Sequence, residues 1–202
     1  MSRSVHIALA ALFLSMAVVW LRTPGQIDAG TAIRMDIPDL VDQSDLILEG
    51  RVLERSVRQD SRGRIETTYR IAVERTFWGP DQILRRVRIP GGTLSDGRGM
   101  MLPGMPVIAK GEDVLLFLSR PGATGIRVPV GLAQGKFRVL TDFDGRRRLV
   151  RNHSELSLVD PTSGTIHQPS RLGFFDYSET VAAIHAAAAS REARIAAGEE
   201  QR

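Results

Sequence analysis

The stretch Ile65-Glu-Thr-Thr-Tyr-Arg-Ile-Ala-Val-Glu-Arg-Thr-Phe77 decides the fold. Ile65, Thr67, Tyr69, Ile71, Val73, Arg75 and Phe77 fall on one side of an extended chain, and Glu66, Thr68, Arg70, Ala72, Glu74 and Thr76 fall on the other. Successive side chains of a strand point to opposite faces, so this period-two alternation predicts a half-buried antiparallel strand. Upstream, Asp60-Ser-Arg-Gly-Arg64 carries turn chemistry, and Asp45–Leu53 has the apolar, β-branched density of a second strand. Residues 46–58 and 65–77 are therefore expected to form a long hairpin. Gly50, inside its first arm, marks a bulge or a sharp bend.

Further strands flank this hairpin. Trp78-Gly-Pro-Asp81 turns the chain into Ile83–Ile89. Val114-Leu-Leu-Phe-Leu118 is apolar on both faces and bounded by Gly111 and Pro121, which predicts a strand covered on both sides. Ile126–Leu132, Lys136–Phe143 and Arg147–Arg151 complete the set, the last two joined by the tight-turn pair Asp144-Gly145. Seven strands without crossover helices predict a mainly β, antiparallel core. Two helices are expected beside it. Asp36 is placed to cap a short one over Asp36–Ser44, with Pro38 in its first turn. Ser178 is placed to cap the other, where Val181, Ile184 and Ala188 form an apolar stripe; past Ser190 the stripe fails and the tail is expected to fray.

The order of these motifs is similar to that of a known group. A short helix, then Ser44-Asp-Leu-Ile-Leu-Glu-Gly-Arg-Val52, then Tyr69–Val73 leading into Phe77-Trp-Gly79, and Gly111–Leu118, resembles the netrin-module and metalloproteinase-inhibitor superfamily, and also a group of exported bacterial proteins. The resemblance spans residues 36–143 and implies an OB-like, Greek-key β-barrel with helices packed against it. The animal inhibitors chelate the protease zinc through an N-terminal cysteine and brace the barrel with disulfides. This chain of 202 residues contains no cysteine, so no inhibitory residue carries over to it. What remains is a likeness of fold, which does not by itself assign function.

The missing cysteines also exclude a disulfide scaffold, a thiolate zinc site, an iron–sulfur cluster and a cysteine nucleophile. At the N-terminus, Arg3 precedes Ile7–Leu21, an apolar run of 15 residues interrupted only by Ser15 and ended by Arg22, Pro24 and Gly25. A bilayer-spanning helix needs about 20 apolar residues, so the run fits a secretory signal peptide, the alternative being a short uncleaved membrane anchor. The expected organisation is a signal or anchor over 1–32, a β-barrel domain over 33–177 and a helix with a frayed tail over 178–202. The protein is expected to be exported, periplasmic or extracellular, and membrane-associated only if the N-terminal segment is retained. The remainder carries 25 positive and 22 negative residues. That imbalance is too weak for a nucleic-acid partner, which requires a concentrated basic face. Arg85, Arg86 and Arg88, and Arg146, Arg147 and Arg148, are expected to decorate wet faces or turns, the alternative being contact with an anionic glycan, a lipid headgroup or an acidic partner.

One segment stands out as a candidate site. Pro90–Glu112 (PGGTLSDGRGMMLPGMPVIAKGE) holds six glycines and three prolines, plus Met100, Met101 and Met105. Loops longer than about 12–15 residues inside a domain are often functional, and such a loop over a barrel mouth is a common ligand site. The plainer alternative is an Ω-like loop that covers one barrel end with its own methionines. Arg98, Met100, Met101 and Met105 are the candidate binding residues. Thioethers accept Cu(I), but no His or Cys lies near to complete a site, so neither a metal nor a cofactor is expected. His153, His167 and His185 show no ligand spacing, and Glu112-Asp113 and Asp142/Asp144 sit in turns. These features predict a non-enzymatic extracytoplasmic module that binds a protein or cell-envelope component, with Ile83–Ile89 as a second contact edge. The competing expectation is an envelope hydrolase with a dispersed active site.

Overall fold

The computed structural model of the chain describes residues 30–152, 154–167 and 172–198. The apolar run Ile7–Leu21 and His153 lie outside the described residues. In chain order, the first elements are β1 (Gly30–Ile33), α1 (Ile37–Gln43), the hairpin arms β2 (Leu46–Gln59) and β3 (Ile65–Trp78), and β4 (Leu84–Pro90). Two short strands, β5 (Gly92–Thr93) and β6 (Gly99–Met100), precede β7 (Asp113–Leu118), β8 (Lys136–Thr141) and β9 (Arg147–Arg151). The last are β10 (Leu156–Val159), β11 (Ile166–His167), β12 (Gly173–Asp176) and α2 (Tyr177–Ala196).

The fold is mainly β. Its centre is an antiparallel seven-stranded sheet in the order β12-β9-β8-β7-β2-β3-β4. A three-stranded sheet pairs β1 parallel to β10 and β10 antiparallel to β11, and β5 and β6 form a small ribbon. The large sheet has seven strands, but not the seven expected. Ile126–Leu132 does not join it, because Pro129 has no N–H to offer a ladder, and the segment makes a lone bridge to Leu118. β12 takes the remaining place, beside β9.

That segment instead runs as a strap between two strands. Ser119 N–H donates to the Val128 carbonyl and Val130 N–H to the Phe117 carbonyl, both at 2.9 Å, while Arg127 N–H reaches the Arg88 carbonyl on β4 at 2.8 Å.

The alternation of β7 explains its two-sided apolarity. Leu115 and Phe117 join Leu40, Val41, Phe137, Leu149 and Ile184 in a core between the sheet and the two helices. Val114, Leu116 and Leu118 join Leu46, Val52, Tyr69, Ile71, Val87 and Ile89 on the other face. Each fully buried side chain of this size contributes about 1.5–3 kcal/mol, so one strand stabilises both layers.

The hairpin forms as the alternation predicts as far as Val73 and then departs from it. Register shifts fall between Glu49 and Gly50 and between Ile47 and Leu48, leaving Glu74 and Phe77 without direct partners on β2. Each extra residue reverses the inward and outward sense of the strand. Phe77 consequently packs with the helix-side core, whereas Tyr69, Ile71 and Val73 pack on the opposite face. At Gly50 a Cβ would lie 2.2 Å from the Ala72 carbonyl oxygen, so only glycine permits this approach.

α1 begins with a reciprocal cap: Asp36 accepts from Asp39 N–H and the Asp39 carboxylate from Asp36 N–H, each at 3.0 Å. α2 is capped by Asp176, two residues before the expected Ser178, and extends through Ala196 instead of fraying past Ser190. The failing apolar stripe is replaced by arginine contacts to α1. Arg191 donates to the carbonyls of Val41 at 2.9 Å and Ser44 at 2.5 Å and lies 4.6 Å from the Trp78 ring centre, and Arg194 pairs with Asp42.

Candidate functional site

The loop from Pro90 to Glu112 is tethered at several points along its length. Gly91 N–H donates to the Ile65 carbonyl at 2.8 Å, and the Thr67 hydroxyl returns a bond to the Gly91 carbonyl at 2.7 Å. At the far end Gly111 N–H donates to the Val52 carbonyl and Val52 N–H to the Glu112 carbonyl. Midway, Ile108 is fully buried in the core beneath β2–β4. Gly92, with φ of +134°, lies so close to the sheet that a Cβ would be 2.4 Å from Thr67 Oγ1. Glycine is needed there for both reasons.

Between these tethers the loop stands off the sheet and frames a cavity of about 390 Å³. β2 contributes Arg55, β3 contributes Thr67 and Tyr69, and the end of β4 contributes Ile89 and Pro90. Met100, Met101, Leu102, Met105, Pro106 and Val107 supply the opposite wall. Met101 and Val107 stand about four-fifths exposed at the surface, at 78% and 80%, while Met100 and Met105 are half-buried. The polar side chains are Arg55, Thr67 and Tyr69 on the sheet side and Thr93 on the loop. Tyr69 is 4% exposed, and burial pushes its phenol up against the opposing pull of Arg55, which keeps the hydroxyl protonated as a donor.

Of the four candidate residues, Met100, Met101 and Met105 are brought together on this cavity. Arg98 is not among them. It sits at the turn of the β5–β6 ribbon, where its guanidinium pairs with Asp96 at 2.8 Å and reaches Gln59 Oε1 at 3.3 Å. Arg55, Thr67 and Tyr69 were not among the candidates. For Thr67 and Tyr69 the signal lay in the alternation of β3, since an inward-facing tyrosine among aliphatic neighbours needs a polar partner at its tip; Arg55, on β2, carried no such pattern. The second expected surface, the β4 edge, is partly occupied by the strap at Arg88.

The remaining candidate chemistry is dispersed or neutralised. Glu112 accepts from Lys136 and from Ala109 N–H, and Asp113 pairs with Arg51 at 3.3 Å. Asp144 pairs with Arg146 at 3.1 Å and Asp142 with Arg148 at 3.4 Å, within one hairpin turn. His167 lies on β11 and His185 on α2, where its ring packs 5.5 Å from that of Phe77. Among the described residues no three His, Cys, Asp or Glu side chains are grouped to hold a metal. No described helix is long and apolar enough to cross a membrane.

Of the arginines expected on wet faces or turns, Arg85 is enclosed and Arg147 is half-buried. Arg85 is 9% exposed on the inner side of β4 and donates to the Pro80 carbonyl at 2.5 Å. Arg147 forms a closed network with Glu49 and Tyr177. No family model matches the chain and no curated protein is similar to it, so the site is defined by its own geometry.

Proposed function

We propose that the protein is a non-enzymatic, exported binding module that takes an apolar group of a protein or cell-envelope component into the cavity beneath the 90–112 loop. The observation that carries this proposal is the form of that loop. It is anchored at Gly91, Ile108 and Gly111, yet it leaves a cavity with thioether and aliphatic walls and a polar side at Tyr69, Thr67 and Arg55. Apolar enclosure with a few convergent polar groups is the usual character of a small-ligand or side-chain pocket. Methionine walls suit an occupant of variable shape, because the thioether chain repacks easily.

Export is supported by Arg3 and the Ile7–Leu21 run. The OB-like reading of the fold is supported by the strap, whose bonds to Phe117, Ser119 and Arg88 link β7 to β4 around the core that contains Tyr69 and Ile108. The test is a photo-reactive amino acid in place of Met101, in cells exporting the protein. A discrete adduct is expected there and not from the same group at Phe143, on a distant hairpin turn. Equal labelling at both positions, or none at Met101, counts against the proposal.

A further inference from the structure

The opposite face of the same three strands carries a second site. We propose that the outer face of β2–β3–β4 binds a phosphate-bearing ligand in a trough centred on Arg70, Arg86 and Thr68. This inference is independent of the cavity on the inner face.

Strand register builds the trough as a grid. Glu54, Arg70 and Arg86 form one cross-strand row, Ser56, Thr68 and Arg88 the next, and Arg58 and Glu66 the third. The hollow among them measures about 360 Å³. Its two carboxylates are already engaged. Glu66, with a side chain 1% exposed, accepts from Arg58 at 2.6 Å and from Arg88 at 2.5 Å, and Glu54 accepts from Arg70. Four guanidiniums thus meet two carboxylates, an excess of two positive charges over one small surface.

The arrangement within the grid concentrates that excess. Arg70 and Arg86 are directly opposed in register, and like charges in that position repel. Arg86 is exposed and makes no hydrogen bond or ion pair with any described residue. The Ser56 and Thr68 hydroxyls on the floor likewise donate to no described residue. An anion between Arg70 and Arg86 relieves the repulsion, while the hydroxyls supply neutral donors beneath it. A phosphate monoester or terminal phosphate suits this set, because guanidinium donors match its oxygens in pairs and its charge of about two offsets both arginines. A carboxylate carries one charge and leaves half of the excess unopposed.

The phosphate has two sources, a soluble phosphate compound or a lipid headgroup, and the experiment separates them. The full-length chain is titrated with inorganic pyrophosphate by calorimetry. It is also sedimented with phosphatidylcholine vesicles containing or lacking phosphatidic acid, whose headgroup is a phosphate monoester. Saturable pyrophosphate binding without vesicle preference assigns a soluble ligand, whereas a phosphatidic acid preference displaced by pyrophosphate assigns a headgroup. In either case Arg86→Gln weakens binding about tenfold, the scale of one lost charge-assisted hydrogen bond. Arg98→Gln, which removes a guanidinium from the β5–β6 turn, leaves binding unchanged. Thr68→Val, a second and uncharged change, lowers affinity several-fold. The proposal is overturned if neither probe binds saturably, if Arg86→Gln binds as the parent does, or if Arg98→Gln weakens binding equally.

Discussion

Replacing Glu49 tests how the C-terminal helix is held to the sheet. The Glu49 carboxylate, 2% exposed as a side chain, projects from β2 and accepts from Arg147 of β9 and from the Tyr177 hydroxyl at 2.7 Å. Arg147 Nη1 donates to that same hydroxyl at 2.8 Å, and its guanidinium carbon lies 4.1 Å from the Tyr177 ring centre. Burial, reinforced by the neighbouring carboxylate, pushes the Tyr177 phenol up, so the hydroxyl remains a donor at neutral pH. Three side chains from β2, β9 and the first residue of α2 therefore close a ring of bonds.

Removing one member of a buried ion pair costs about 3–5 kcal/mol, because its partner is left charged and desolvated. Arg147 is 28% exposed, and Glu74 stands 3.9 Å away with its side chain 55% exposed, so water and a distant carboxylate offset part of the loss. Glu49→Leu is therefore expected at the lower end, about 3 kcal/mol. Combining it with Arg147→Met removes the orphaned charge, and the pair together is expected to cost no more than about 1 kcal/mol. Urea unfolding of the parent, both single variants and the double variant supplies a complete cycle. The expected coupling is at least about 2 kcal/mol. If the single losses simply add in the double variant, the network contributes through independent packing and the argument fails.

Other expectations concern separate parts of the molecule. Burial raises the Glu66 carboxyl, but the Arg88 and Arg58 guanidiniums outweigh it and hold the group below 4.5. A carboxyl depressed in the folded state stabilises above its unfolded pKa, and this contribution disappears as pH falls through the folded value. Stability should thus decline below pH 4.5, with a shallower decline in Glu66→Gln; identical slopes in denaturant titrations at pH 3 to 7 would refute this. Gly92→Ala meets both the φ of +134° and the Thr67 hydroxyl, and is expected to cost about 1–3 kcal/mol and to reduce labelling from Met101. Parent-like stability and labelling would show that the loop does not need this approach. Arg151 lies 5.2 and 4.8 Å from the rings of Phe137 and Phe175, with a buried Nε that has no partner, and burial, aided by Arg34, lowers its pKa to about 10. Arg151→Met retains the packing without the desolvated charge, so thermal unfolding should show unchanged or higher stability, by up to about 1 kcal/mol. A clear loss would mean that the aromatic contacts outweigh desolvation.

Local pattern was sufficient for the parts of this fold governed by local physics. The 65–77 alternation, the turn at Asp60–Arg64, the reciprocal cap at Asp36 and the two-sided apolarity of Val114–Leu118 each correspond to an observed element. The failures arise where a distant partner decides. β12 was illegible because Gly173–Asp176 becomes a strand only through pairing with β9. The reversal at Phe77 depends on register shifts that the composition of either arm alone does not encode. The order of α2 past Ser190 comes from Arg191 and Arg194 contacting α1, roughly 150 residues earlier in the chain. At the candidate cavity the methionines were legible because they crowd one unusual loop. Thr67 and Tyr69 were less so, because their alternation is equally that of an ordinary core strand, and Arg55 lies in the exposed half of β2.

The lack of cysteine gives the loop anchors a further meaning. A disulfide stabilises mainly by restricting the unfolded chain, and a metal clip fixes a loop in a similar way, but neither device is described for residues 90–112. The loop is instead fixed from the folded side. Ile108 is buried without exposed area, Thr67 bonds to Gly91, and Glu112 is held by Lys136 and the Ala109 N–H. Contacts of this kind constrain their own neighbours and leave the intervening residues free to adjust, which a covalent staple across the loop mouth would oppose. Rigid ends with a methionine-walled middle therefore reconcile a definite cavity with an occupant of variable shape. The same division extends across the sheet. Odd-numbered residues of β3, such as Thr67 and Tyr69, face this adaptable cavity, while even-numbered Glu66, Thr68 and Arg70 form the fixed charged grid behind it. A one-residue slip of the hairpin would exchange the two sets, so the bulges near Gly50 and Leu53 that hold its register keep both candidate sites in place.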